Sequence, residues 1–198
     1  MDELVSTILS QNTNDRNRDL AFERLQTRFG RDNWEEVRDA ASEQVIEAIR
    51  PAGLAPQKGP RIQNALRQIS QHRGQLSLDF LAGMPLEEAR EWLTALPGVG
   101  PKTAAIVLLF ALGQPAFPVD THVHRVTGRL GWVPRTFSAE KAQVALEAAV
   151  PPDHFYALHI NLIRHGRAVC LARRPRCGEC ALRPDCRYGL ADGGRVDP

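Results

Sequence analysis

All four cysteines of this 198-residue chain lie close together in its C-terminal part. They form the pattern Cys170-x6-Cys177-x2-Cys180-x5-Cys186, which spans 17 residues. In a reducing compartment, thiols this close together are better explained by metal ligation than by disulfide pairing. Four thiolates suit either one zinc ion or a four-iron cluster with one cysteine for each iron. The segment is therefore predicted to be a loop folded around a metal.

Basic charge is concentrated around the same cysteines. Residues 161–187 contain seven arginines and two carboxylates, a balance of +5, whereas the whole chain carries +2. A concentrated basic segment is what a polyanion-binding surface needs, and a solvated arginine-rich segment is the alternative. Arg173, Arg174 and Arg176 lie between the first two cysteines. On a loop held at both ends by ligands, we expect them to bind phosphates.

The rest of the chain has the spacing of helices. Ile62, Ala65, Leu66 and Ile69 follow the i, i+3, i+4, i+7 pattern, and no run of four or more residues alternates convincingly. The sequence therefore predicts an all-α protein. Helices are expected near residues 15–29, 85–96, 101–112, 120–131, 138–150 and 153–168.

Prolines and caps are expected to mark the boundaries of these helices. Asp32 to Glu35 fits a capping box, and Pro60 is interpreted as a helix boundary. The segment from Gln114 to Pro118 contains two prolines and predicts a linker.

A glycine-containing turn separates two of the apolar helices. It reads LPGVG, from Leu96 to Gly100. Two glycines let the backbone turn tightly and bring its N–H groups close to a ligand. Amides at a helix N-terminus favour an anion, so the turn could hold a nucleic-acid phosphate without reading a base. An ordinary tight turn between helices is the alternative.

Two further residues have side chains that could take part in a reaction, one directly after this turn and one further along the chain. Lys102 lies in the first turn of the following helix, where the macrodipole disfavours a cation, and only an amine can form a Schiff base. Asp120 is predicted to cap the next helix. His122 and His124 could complete a hydrolytic metal site with Asp120, although side chains two residues apart on a helix point apart. Alone, Lys102 also fits a surface lysine and Asp120 a structural cap.

Three elements then occur in one order: LPGVGPKTA from Leu96 to Ala104, VDTH from Val119 to His122, and the four-cysteine loop. Together they closely resemble the endonuclease III family, helix–hairpin–helix DNA glycosylases with a [4Fe–4S] cluster. The resemblance covers nearly the whole chain. It implies a six-helix domain with the hairpin over residues 1–114 and a second helical domain with the cluster over residues 115–198. It also implies a cleft between them, lined by Lys102 and Asp120. A helix that precedes these elements in the family is expected to be absent from this chain.

The resemblance implies a function in base excision repair. Lys102 matches the family's nucleophile and Asp120 its catalytic carboxylate, in a bifunctional enzyme that excises oxidised pyrimidines of the thymine glycol type and nicks the strand by β-elimination. Cys170, Cys177, Cys180 and Cys186 match the ligands of the [4Fe–4S] cluster, which is expected to be structural. Two alternatives stay open: a monofunctional adenine-mismatch glycosylase of the same fold, and a weakly catalytic or non-catalytic DNA-binding module.

The resemblance also implies contacts with DNA. Either Gln11 or Asn12 is expected to fill the gap left by a flipped base, and a gapless register places Asn12 opposite the family's residue. Leu54 matches a second inserting residue, with a place in the core as its alternative. The further contacts are expected at Pro97, Gly98, Val99, Gly100, Thr121, His122, Arg173, Arg174 and Arg176.

The expected partner is double-stranded DNA with damaged bases or abasic sites, bound by a monomer. No basic stretch precedes an apolar one near the N-terminus. The longest apolar run, Ala104 to Leu112, has nine residues, whereas about 20 are needed to cross a bilayer. We therefore expect no membrane association and a cytoplasmic location at the nucleoid.

Overall fold

A computed structural model describes residues 1–191 of the chain. Two compact units are present, one over residues 1–114 and one that begins at Pro115. No strand occurs in residues 1–191, which confirms the prediction of an all-α protein. No helix in this range combines the length and apolar character needed to cross a membrane.

Seven α-helices build the unit over residues 1–114, one more than the resemblance implies. Ala40 and Ala41 have extended backbone angles and divide the segment after α2 into two short helices. A π-helix, Val107–Ala111, directly follows the last of the seven. The helices are α1 (Asp2–Ser10), α2 (Asp15–Phe29), α3 (Trp34–Asp39), α4 (Ser42–Ala48), α5 (Ala55–Arg73), α6 (Leu86–Thr94) and α7 (Pro101–Ile106).

The core of this unit is built around α5. Ile62, Ala65, Leu66 and Ile69 are all at most 1% exposed, as their helical spacing predicts. Burying one aliphatic side chain of this size stabilises a fold by about 1.5–3 kcal/mol. The apolar face of α1 contributes to the same core, so the segment that follows α1 starts from a fixed position.

Two local predictions in this unit are wrong. Pro60 lies inside α5 and does not end it. Gly59 precedes it and has no Cβ to clash with the proline ring, which removes the usual obstacle to a helical residue before proline. The cap of α3 is Asn33, whose side chain accepts from the Glu36 N–H at 3.3 Å. The capping pattern thus begins one residue later than predicted, and Asp32 has a left-handed φ of 59°.

The second unit contains four α-helices within its described residues. Its longest helix, α10 (Phe155–Ala168), packs against α8 (Thr121–Leu130). Gly166 allows the close approach because an added Cβ would lie 3.1 Å from His122. Phe117 and Phe155 meet edge to face, with ring centroids 5.2 Å apart, and both are buried. The helices are α8 (Thr121–Leu130), α9 (Ala139–Ala149), α10 (Phe155–Ala168) and α11 (Arg187–Ala191).

The segment around the boundary between the units is irregular but anchored. Gln114 is buried, and its amide donates to the Leu81 carbonyl at 2.7 Å within the first unit. Within the second unit, the Phe117 N–H donates to Glu147 Oε1 at 2.8 Å. Both ends of the predicted linker therefore belong to a folded unit.

Candidate active site

The glycine-containing turn joins α6 to α7 and forms a helix–hairpin–helix. Gly98 has a φ of +80°, and an added Cβ would lie 2.9 Å from Arg61 Cδ, so both backbone and space require glycine there. Gly100 caps α7 in an extended conformation and has no atom within 4 Å of an added Cβ. Val99 is 5% exposed. The hairpin therefore presents backbone to a ligand at Gly100, and the side chain of Val99 contributes to the core.

Lys102 is the second residue of α7, directly after this hairpin. Its side chain is exposed. An amine in this position is available to a ligand that rests on the hairpin backbone. The sequence prediction of its place in the first helical turn is confirmed.

Gln11 and Asn12 have different environments. The Gln11 amide donates to the Gly98 carbonyl at 2.9 Å, so this side chain braces the hairpin. Asn12 is exposed and has a left-handed φ of 53°. Of the two, Asn12 is thus the exposed side chain, and Gln11 is engaged with the hairpin.

Leu54 is an exposed apolar residue on the same unit. It precedes α5 with a left-handed φ of 51°, and 45% of its surface is exposed. The alternative of a core leucine is therefore wrong. A bulky side chain at positive φ is a rare, strained arrangement that clusters at functional sites. An exposed leucine held in this way can act as a wedge.

Asp120 caps α8 in the second unit, as predicted. Its carboxylate accepts from the Val123 N–H at 2.7 Å, which leaves its other oxygen for a ligand. Thr121 is exposed and His122 is half-buried.

The alternative of a hydrolytic metal site at Asp120 is not supported. His122 Nδ1 lies 3.1 Å from Arg125 Nη2, and His124 Nε2 lies 2.8 Å from the Phe137 carbonyl oxygen. Both rings are thus engaged elsewhere. Within residues 1–191, no three His, Cys, Asp or Glu side chains are placed to hold a metal ion.

The four cysteines nevertheless line one pocket, together with Arg129, His165 and Tyr188. The pKa of the Cys177 thiol is raised, first by burial and then by the other three cysteines, which are close enough to act on it. The four cysteines therefore share one pocket. A zinc ion needs its sulfurs at about 2.3 Å from one centre, whereas a four-iron cluster uses one thiolate at each iron.

Hydrogen bonds to sulfur are a second feature of this pocket. Arg129 Nη1 donates to Cys170 Sγ at 3.3 Å, and the Gly189 N–H donates to Cys186 Sγ at 3.4 Å. Arg129 Nε is buried and has no hydrogen-bond partner among the described residues. A cationic side chain and an amide directed at sulfur suit ligated thiolates, because such bonds tune iron–sulfur centres.

Two arginines that the sequence analysis missed hold the backbone of the cysteine loop. The Arg129 guanidinium donates to the carbonyls of Leu171 at 2.6 Å and Ala172 at 3.0 Å. Arg125 Nε donates to the Cys170 carbonyl at 3.1 Å. Both belong to α8, and in the sequence they look like any other basic residue on a helix. These hydrogen bonds hold the loop backbone through protein groups, independently of any metal.

The three arginines of the loop project outward. Arg173, Arg174 and Arg176 are exposed, and none forms an ion pair with a described residue. Arg174 has a left-handed φ of 51°. Positive side chains on an anchored backbone are the arrangement that phosphate contacts require.

The sequence pattern of the HhH-GPD superfamily of base excision DNA repair proteins matches residues 5–152. The chain belongs to this superfamily. The matched residues include the helix–hairpin–helix, and the all-α fold agrees with this family.

Relatives of this chain show which kind of protein it is within the superfamily. A protein of Arabidopsis thaliana with a provisional name as a DNA glycosylase is 41% identical over 192 residues, which are 97% of this chain and 63% of the relative. The endonuclease III of Sulfolobus acidocaldarius is 34% identical over 187 residues, 94% of this chain and 81% of the relative. The chain thus spans less than two thirds of the plant relative and about four fifths of the archaeal one.

A solved structure agrees with these relatives. A non-covalent complex of endonuclease III with DNA has a TM-score of 0.81 and 30% identity, and the match covers 96% of this chain and 84% of that chain. Within its superfamily, the chain is a base excision repair DNA glycosylase of the endonuclease III type. The likeness to a DNA complex supports DNA as its partner.

Proposed function

We propose that this chain is a bifunctional glycosylase and AP lyase that excises oxidised pyrimidines of the thymine glycol type and then nicks the DNA strand. The observation that carries the proposal is the exposed amine of Lys102, in the first turn of α7 directly after the hairpin. A monofunctional glycosylase activates water and has no use for an amine there. A module that only binds DNA would need no nucleophilic amine at Lys102 and would use Asp120 only as the cap of α8.

Lys102 is the nucleophile in this proposal. Its neutral amine attacks C1′ of the damaged nucleotide, and the base leaves with the electron pair of the N-glycosidic bond. Opening of the sugar ring produces an iminium ion, which acidifies the C2′ proton. Loss of that proton expels the 3′ phosphate oxygen, so the strand is cut 3′ to the lesion.

Asp120 supports the same steps. Its carboxylate, oriented by the Val123 N–H, stabilises positive charge that develops on the sugar as the base leaves. The same carboxylate is positioned to exchange protons in the steps that follow.

Asn12 and Leu54 make the target nucleotide accessible. A base inside a duplex cannot be reached, so it is flipped out at a cost of a few kcal/mol, less for a damaged pair. The two exposed side chains enter the space that the nucleotide leaves. Gln11 supports the hairpin behind Asn12.

The cysteine pocket is proposed to hold a [4Fe–4S] cluster through Cys170, Cys177, Cys180 and Cys186. The fit rests on four cysteines that line one pocket, with Arg129 donating to the sulfur of Cys170 and the Gly189 amide donating to that of Cys186. When bound, the cluster supplies iron–thiolate bonds that cross-link the loop. Arg173, Arg174 and Arg176 then bind phosphates from a rigid backbone.

We further propose that the protein acts as a monomer on chromosomal DNA, in the cytoplasm at the nucleoid. The proposed partner is double-stranded DNA with a damaged base or an abasic site. The hairpin, Asn12 and Leu54, and the arginine loop are proposed to bind it.

Separate measurements of base release and strand cleavage test the bifunctional proposal. On a thymine glycol duplex we expect both products to appear at the same rate without alkali, because one imine intermediate produces both. A duplex with adenine opposite 8-oxoguanine serves as the comparison. Base release from the mismatch alone, with strand cleavage only after alkali, would show the monofunctional alternative to be right.

A further inference from the structure

Among the described residues, the only charged side chain less than 2% exposed is a lysine. Lys58 lies in the first turns of α5 and is 1% exposed. No carboxylate of a described residue pairs with its ammonium group. Burial lowers the pKa of this amine. A buried cation without a counter-ion is costly and needs an explanation in terms of the groups it contacts.

Those groups are two backbone carbonyls. Lys58 Nζ donates to the Leu9 carbonyl and to the Ala52 carbonyl, each at 2.8 Å. Leu9 belongs to the last turn of α1, and Ala52 ends the short 3-10 turn Arg50–Ala52. One ammonium group therefore connects two segments that are distant in sequence.

Both segments lead directly to a residue that we assign to DNA insertion. Asn12 follows Leu9 by three positions and Leu54 follows Ala52 by two, and both are exposed with left-handed backbones, φ 53° and 51°. Strained conformations of this kind persist only where the surrounding structure enforces them. Lys58 is the buried group that contacts the chain ahead of both.

We propose that Lys58 is a positioning residue that holds Asn12 and Leu54 as one wedge, by binding the Leu9 and Ala52 carbonyls together. This inference rests on the proposed function, because it assigns the two exposed residues to DNA insertion. Lys58 contacts neither DNA nor the reacting atoms. Its removal releases two carbonyls and lets each inserting segment relax separately.

The same helix supplies a matched control. Gln63, also in α5 and 1% exposed, donates from its amide to the Val37 carbonyl at 3.1 Å and the Ala40 carbonyl at 2.8 Å. It too is a buried donor that connects backbone carbonyls, but those carbonyls lie near the end of α3. Lys58→Met and Gln63→Met thus remove comparable interactions, one ahead of the proposed wedge and one elsewhere.

The experiment measures extrusion of the nucleotide with 2-aminopurine fluorescence in a thymine glycol duplex, beside the affinity for an undamaged duplex. We expect Lys58→Met to lose about ten-fold or more in extrusion and base release, since small displacements of positioned groups have effects of this size. Its affinity for undamaged DNA stays within about two-fold, because phosphate contacts from the arginine loop remain. Gln63→Met, with a similar loss of thermal stability, keeps wild-type extrusion.

A second readout separates positioning from general destabilisation. In a background that carries both Asn12→Ala and Leu54→Ala, Lys58→Met is expected to add little further loss, because the two side chains through which it acts are already truncated. The inference would be overturned if Lys58→Met reduced extrusion by the same factor in this background as in the wild type. It would also be overturned by wild-type extrusion in Lys58→Met, or by an equal defect in Gln63→Met. Should Lys58→Met not fold, Lys58→Gln replaces it, since the shorter amide cannot span both carbonyls, and the same outcomes apply.

Failure of the proposed function gives a different result. Wild-type protein that neither extrudes nor releases a base from any lesion duplex would overturn the proposed function and this inference together. Wild-type protein that extrudes, beside a Lys58→Met variant that does so equally well, would overturn the inference alone.

Discussion

Asp120 combines two tasks at the scale of a single residue. Its carboxylate caps α8 through the Val123 N–H, and in the proposed mechanism it also stabilises charge on the sugar. Asparagine is an equally good helix cap but carries no charge. The two tasks can therefore be separated by substitution.

We expect Asp120→Asn to retain the stability and DNA affinity of the wild type and to lose base release by a factor of about 10² or more. Nicking of preformed abasic sites persists in part, because those sites need no glycosidic cleavage. Single-turnover assays on thymine glycol and abasic duplexes measure both. Asp120→Ala serves as the control and in addition lowers the free energy of unfolding by about 1 kcal/mol, through loss of the cap. Unchanged base release by Asp120→Asn would contradict the assigned role.

Residues whose tasks follow from local position were predictable from the sequence. The place of Lys102 after the hairpin and the cap at Asp120 depend only on neighbouring residues. Lys58 and Gln11 were not predictable, because they act on carbonyls 49 and 87 positions away in sequence. The sequence around Gly59 and Pro60 also predicts a helix break, but α5 continues through both residues.

At the scale of elements, the cysteine loop is held in two ways. Arg125 and Arg129 of α8 bind its backbone carbonyls, and the proposed cluster binds its thiols. The seven arginines of residues 161–187 were visible in the sequence as a cluster of charge, but the two arginines of α8 that anchor the loop lie outside this cluster and required the fold. Helical periodicity cannot show which side of α8 faces the loop.

The exposed arginines are expected to supply affinity without selecting the lesion. Arg173→Ala removes one phosphate contact, so the slope of log K against log salt decreases by about 0.9 in magnitude, and damaged and undamaged duplexes weaken alike. Arg173 is preferred to Arg174 for this test, since the left-handed backbone of Arg174 adds a conformational effect. Arg31→Ala, an exposed arginine outside the loop, is the control. A loss confined to lesion-containing DNA would assign the loop to recognition.

At the scale of the whole molecule, helix positions and the fold class were predictable because periodic apolar residues and caps repeat along the chain. The division of residues 34–48 into two helices was not, since nothing in the local pattern distinguishes the extended Ala40 and Ala41 from helical alanines. The identity of the metal also could not be predicted from the spacing of the cysteines alone. The four cysteines share one pocket, which supports the proposal of a cluster.

Protein purified without oxygen is therefore expected to be yellow-brown and to contain about four irons and four sulfides for each chain. Iron, sulfide and zinc analysis, with the visible absorption spectrum, measures this. Cys177→Ala should lose the colour and reduce solubility and DNA affinity together, because the arginine loop loses a ligand anchor. One zinc and no iron in the wild-type protein would contradict the assignment.

The central claim is that Lys102 forms a covalent imine with DNA, and borohydride trapping tests it most directly. The chain has only three lysines, of which Lys58 is buried and Lys141 lies exposed on α9. Wild type and Lys141→Gln are expected to form a reduced adduct with a thymine glycol duplex, mapped by peptide mass to Lys102. Lys102→Gln should form none and should not nick the strand, while still binding abasic DNA. Efficient trapping or strand cleavage by Lys102→Gln, or an adduct at Lys141 or the N-terminal amine, would contradict the account.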